Sequence, residues 1–172
     1  MNEEILVSGL MQPAATWEIP SFLEDHLIAD SHLQETRLFP HWGLLVLIQW
    51  DLCINPTVPE GYDLLVIHFT LPYVVRWHEG AYRDHGIGGT ESARVSEAER
   101  EQMLNESVVD LRAFGNNPHD LSPYMFDETL TRTTFHCHNW SALEILHSQS
   151  VNIACFDKKG NVWHVPRKQS CG

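Results

Sequence analysis

Two histidines one residue apart, His136 and His138 in the stretch FHCHNW, are the strongest candidates for chemistry in this chain. Neutral imidazole is both a common metal ligand and the side-chain base best matched to neutral pH. Alternate residues of a β-strand face the same way. A strand here therefore turns Phe135 and Cys137 toward the core and sets His136 and His138 together on the opposite face. Ser141 then reads as a helix cap, and a helix N-terminus offers free N–H groups to an anion. The pair suits a divalent metal such as zinc, a phosphate or a carboxylate. A catalytic zinc needs a third protein ligand, to be supplied by His68, His164 or an acid. The plainer reading is a pair of hydrogen-bonded strand histidines.

His68 lies in VIHFTL, where Ile67 and Phe69 face one way and His68 and Thr70 the other. His68-Phe69-Thr70 resembles one of the paired H-x-T/S motifs of the two-histidine phosphoesterases. The resemblance covers those three residues only. It implies a general acid or base at His68 and a phosphate contact at Thr70. Where the second motif should stand the chain has His136-Cys137-His138, without the second hydroxyl, so no family is assigned.

Two further features point away from catalysis. The chain has 23 acidic and 11 basic residues, a net charge of −12. Such a chain repels nucleic-acid phosphate and suits a protein partner with a basic surface, although acidity also serves solubility alone. Acids concentrate at Glu99, Glu106 and Asp110 along one flank of the most amphipathic segment, EAEREQMLNESVVDLRAFG. Before it, residues 78–95 form a long glycine-containing loop carrying Arg83, Asp84 and His85. Loops of this length are usually functional or mobile. It matches neither a P-loop nor a dinucleotide-binding glycine pattern. Glu99, Glu106, Asp110, Arg83, Asp84 and His85 are thus the candidate partner-binding residues.

The elements that must carry these residues are read from capping and periodicity. Three S-x-x-E boxes, Ser21/Glu24, Ser96/Glu99 and Ser141/Glu144, open candidate helices near 22–33, after 96 and near 142–148. Trp140 and Ile145 form a candidate staple over the third. Strands are expected at 44–54, 63–75 and 129–138, with Pro72 marking an edge, bulge or end. A hairpin is expected from VNIACF and NVWHV around DKKG, with Gly160 in the left-handed region. EILVSGL reads as a further strand. The order predicts an α+β fold: a single globular domain over 1–172, a largely antiparallel sheet of five or six strands, and two to three helices packed on it.

The four cysteines form no C-x-x-C and no disulfide framework, and Cys53, Cys137 and Cys155 sit in apolar runs. The N-terminus carries acids where a signal peptide needs positive charge, and the longest apolar run is too short to span a bilayer. A cytoplasmic setting is expected. The leading functional expectation is a small acidic, non-catalytic binding or inhibitory protein that engages a basic protein partner and needs no cofactor. The alternative is a histidine-based hydrolase or phosphoesterase using His68, His136 and His138, with a divalent metal such as zinc on His136 and His138.

Overall fold

The computed structural model describes residues 1–28, 32–39, 43–70, 72–78, 90–99, 102, 130–136, 142–148 and 150–167. The fold is α+β and its strands pair antiparallel, as the sequence predicts. They divide between two sheets rather than extending one.

The first sheet is built from β1 (Thr16–Glu18), β2 (His32–Phe39), β3 (Gly43–Gln49), β4 (Leu64–Phe69), β9 (Ser150–Phe156) and β10 (Val162–Trp163). Its order is β1-β9-β4-β3-β2, with β10 also pairing β9. The second holds β5 (Pro72–His78), β6 (Thr90–Arg94), β7 (Thr131–His136) and β8 (Ala142–His147), in the order β5-β8-β7-β6.

Strand periodicity explains how the layers stack. Leu44, Val46 and Ile48 of β3, Leu65, Ile67 and Phe69 of β4, and Val151, Ile153 and Cys155 of β9 share one face of the first sheet. They pack into one core with Phe135, Leu143 and Ile145 of the second sheet. The alternate residues Leu45, Leu47, Val66, Ala154 and Phe156 face the other way, onto Leu6 and Leu10 of α1 (Glu3–Leu10). The continuous apolar run that begins the 44–54 segment is thus a strand covered on both faces. It ends at Gln49, however. The Asp51 carboxylate accepts from the Cys53 backbone N–H at 2.8 Å, and the tight turn leaves Cys53 exposed rather than in a strand.

Several local expectations are overturned. EILVSGL is the helix α1, not a strand. Asn2 caps it by accepting from the Glu4 N–H at 2.9 Å, and Leu6, Gly9 and Leu10 fall on one buried face. Gly9 permits the close approach, because a β-carbon there would lie 2.6 Å from Val162. The helix expected over 22–33 is α2 (Ile19–Asp25), started by Pro20 in its first turn, so Ser21 is inside it and not its cap. Residues 32–39, partly assigned to that helix, form the edge strand β2, whose charged Glu35 and Arg37 pair at 2.6 Å. Their ion pair lowers the Glu35 carboxyl and raises the Arg37 guanidinium.

The largest reversal is at 142–148. That segment is β8, hydrogen-bonded to β5 on one side and β7 on the other. Every residue of β8 is buried, so two flanking ladders and burial override a local S-x-x-E signal. Ser141 and Trp140, and with them the cap and staple, lie outside the described residues.

The strand read over 63–75 splits into β4 and β5, one in each sheet, and Pro72 opens the second. The long loop is shortened at both ends, since residue 78 closes β5 and 90–94 are β6. Residues 79–89 are outside the described residues. The hairpin around DKKG forms as expected, with Gly160 at φ +87° and its N–H on the Asp157 carbonyl at 3.0 Å. The Ser96 box also forms: Glu99 accepts from the Ser96 N–H at 2.9 Å and from its hydroxyl at 3.1 Å, and its own N–H donates to Ser96 Oγ at 3.2 Å. Among the described residues no helix is long and apolar enough to cross a membrane.

Candidate functional site

The three described histidines of interest occupy three different levels of the sandwich. His68 pairs with Leu45 and Asn152, so it shares the face of the first sheet that α1 covers. It is buried, and its Nδ1 accepts from Asn152 Nδ2 at 3.3 Å, while Asn152 Oδ1 accepts from the Thr16 hydroxyl at 3.2 Å. His136 follows the inward Phe135, so it faces outward from the second sheet. There it is buried and meets the Glu91 carboxylate through Nε2 at 3.3 Å. Packed sheets stand about 10 Å apart, so His68 and His136 are separated by both layers. Metal–imidazole bonds of ~2.1 Å cannot bridge that gap. His138 lies outside the described residues. Among the described residues no three His, Cys, Asp or Glu side chains group as metal ligands.

Between the sheets lies a histidine that the sequence reading passed over. His147 is 1% exposed and packs edge-on against Phe69, with ring centroids 4.7 Å apart. Its Nδ1 reaches the Ser148 carbonyl at 2.5 Å, and a carbonyl can only accept, so Nδ1 carries the proton. In the neutral ring Nε2 then accepts from the Thr133 hydroxyl at 2.7 Å. Thr133 Oγ1 in turn accepts from the Ser92 hydroxyl at 3.1 Å. Burial drives the His147 pKa down to about 4, against the opposing effect of the Ser148 hydrogen bond. His147 is thus a neutral, closed hydrogen-bonding element at neutral pH. Cys155, also in this core, has its thiol pushed up by burial and is no nucleophile.

Of the candidate partner-binding residues, Glu99 is described. Its hydrogen bonds to Ser96 lower its carboxyl, and Arg132 lies 3.8 Å away. It is a helix-capping acid at the outer edge of the second sheet. Glu106, Asp110, Arg83, Asp84 and His85 lie outside the described residues.

The described surface offers two adjoining open grooves on either side of α2. One, of about 590 Å³, is lined by Thr16, Trp17, Glu18, Ser21, Glu24, Asp25, Ser150 and Arg167. The other, of about 530 Å³, runs from Pro20, Leu23 and Glu24 to Thr90, Glu91, Ser92, Ala93, Arg132 and Thr134. Glu24 lines both. Their walls thus carry Glu18, Glu24, Asp25 and Glu91 against Arg132 and Arg167.

Of the residues lining the two grooves, Ser21 and Glu24 stood out in the sequence, and only as a capping box. The pieces come together only through the fold: β1 pairs β9 in the register Glu18↔Ser150, and Arg167 donates to the Thr16 carbonyl 151 residues away. A Trp-Glu pair beside a proline-started helix was the sole local signal. No protein-family model, curated protein or solved structure matches the chain.

Proposed function

We propose that this protein is a small acidic binding protein, immunity- or inhibitor-like, that engages a basic surface of a protein partner and performs no catalysis of its own. The observation that carries this reading is the pair of acidic grooves flanking α2, in a chain of net charge −12. Carboxylates displayed along a concave surface attract a basic partner and speed its encounter. Glu99, through Arg132, borders the second groove and extends the acidic surface. The histidine-hydrolase reading gains nothing from the geometry, because His68 and His136 sit on outward faces of different sheets.

The test is capture of partners from the native host at low salt, followed by binding of the purified pair across ionic strengths. The expected result is a partner of net positive charge whose affinity falls steeply between 0.05 and 1 M salt, roughly as the Debye length shrinks. Affinity undiminished at about 1 M salt, or a captured partner with no basic surface, overturns the proposal.

A further inference from the structure

The groove between α2 and the paired ends of β1 and β9 already holds one basic side chain. The Arg167 guanidinium lies over the Trp17 ring, 5.1 Å from its centroid, and donates to the Thr16 carbonyl. Glu18, Glu24 and Asp25 line the same groove. An aromatic face, a main-chain carbonyl and nearby carboxylates are the features that recognise a guanidinium. Arg167 itself is exposed and follows Val165, the last buried residue of the described chain. It rests on the groove without being built into the core.

A second observation is independent of charge. Trp17 is 4% exposed and lines the groove, yet its indole N–H has no hydrogen-bond partner. Buried indole N–H groups ordinarily find an acceptor. An arginine side chain has donors only, so Arg167 cannot satisfy it. A peptide carries both: a cationic side chain and a main-chain carbonyl beside it.

We infer that this groove is the docking site for an arginine of the partner protein, presented on an extended segment. The partner arginine takes the place of Arg167 over Trp17, and a carbonyl of the same segment accepts from the Trp17 indole N–H. Arg167 is then a competitor supplied by the chain itself, and it sets a threshold that weak basic ligands do not pass. The inference rests on the acidic-binder reading and names the residue type which that surface selects.

The experiment uses the full chain and acetyl-Gly-Arg-Gly-amide as probe, followed by the indole N–H signals in two-dimensional nitrogen–proton NMR. The Trp17 signal is assigned by its loss in Trp17→Phe. The expected result is a saturable shift of the Trp17 signal that exceeds those of the other indoles. Arg167→Ala should tighten binding about threefold or more by removing the competitor. The double change Glu24→Gln with Asp25→Asn should weaken it about tenfold, and acetyl-Gly-Glu-Gly-amide should produce no shift. A Trp17 signal that stays fixed at millimolar probe, or affinity unchanged or weakened in Arg167→Ala, overturns the inference. Arg167 and Glu24 are exposed and Asp25 is half-buried, so urea unfolding of each variant separates an effect on binding from one on folding. If a basic partner still binds in a salt-dependent way while these outcomes fail, the groove is wrong and the acidic-binder reading stands. If the peptide binds as expected and the partner test fails, the reverse holds.

Discussion

The two sheets of this protein solve burial in opposite ways. Apart from His68 with Asn152 at one end, the first is apolar through its thickness: β3 and the centre of β4 and β9 present Leu, Val, Ile, Ala, Cys and Phe to the shared core on one side and to α1 on the other. The second buries polar groups: Thr131, Thr133, Thr134, His136, Glu144 and His147 are all buried. On β8, apolar Leu143 and Ile145 point to the core, while Glu144 on the opposite face meets Arg76 of β5 across the ladder. The Arg76 Nε donates to Glu144 Oε1 at 2.8 Å, and a terminal guanidinium nitrogen donates to the same oxygen. The first sheet gains stability from area removed from water, which is non-directional. The second depends on partners, because an unpaired buried polar or charged group is costly. Equal-sized substitutions should therefore hurt the second sheet more.

The sharpest test is Glu144→Gln, which keeps volume and deletes one charge. It takes away the carboxylate that the Arg76 guanidinium meets in a side chain only 16% exposed, and should cost about 3–5 kcal/mol in urea unfolding. Adding Arg76→Met should recover most of that loss. If Glu144→Gln costs under about 1 kcal/mol, the pair is not a structural dependency and the contrast between the sheets fails.

Next in size is the response to acid, which should localise to the second sheet. The folded-state pKa of His147 is depressed to about 4 from an ordinary 6.5. Between those values the unfolded chain binds a proton that the folded chain refuses, so stability falls as pH drops through the window and levels off below it. The contribution is on the order of 3 kcal/mol. In His147→Gln that part of the acid loss should vanish, leaving the part from carboxylates lowered in the fold, such as Asp157, which accepts from Asn161 and from backbone N–H groups. Parallel urea midpoints for both proteins from pH 7 to 4 measure the difference; superimposable curves would remove His147 as the sensor.

The same contrast explains what could be read from the sequence. Within the apolar sheet β3, β4 and the DKKG hairpin announce themselves through apolar runs, period-2 residues and turn chemistry, and β7 of the second sheet, within 129–138, is legible in the same way. So is the Ser96/Glu99 box, whose reciprocal bonds are local. Where partners are distant, local signals mislead. Glu144 reads as a capping acid because its true partner, Arg76, lies 68 residues away. α1 reads as a strand because its run is short and apolar, and the cues for a helix are confined to the Asn2 cap and the acids Glu3 and Glu4 of its first turn. β2 follows an apparent helix whose true end, at Asp25, carries no glycine stop. The candidate groove was illegible for the same reason: Trp17, Glu24 and Arg167 are unremarkable residue types until β1 pairs with β9 and the end of the described chain returns to it. His138, the expected partner of His136, lies outside the described residues, and β7 is described only to His136. What sequence could not supply was that His68 belongs to the other sheet.

The smallest expected effect belongs to the apolar sheet and completes the comparison. Ile67→Val removes one methyl group from the centre of β4, at a side chain with 0% exposure. It leaves no polar atom without a partner, so the cost should be confined to lost transfer energy and a small cavity, about 0.5–1.5 kcal/mol. That loss should be the same at pH 4.5 and pH 7 and in low or high salt, because no charge is involved. Thr133→Val is the matched change in the second sheet, similar in size but removing the hydroxyl that His147 Nε2 and Ser92 both use. It should cost about 1–3 kcal/mol through the groups it leaves unpaired. It should also alter the acid response, since Nε2 no longer has a donor that favours its neutral form. Urea unfolding of the two variants at both pH values separates the cases. Equal and pH-independent losses would mean that the second sheet, like the first, is held by burial alone.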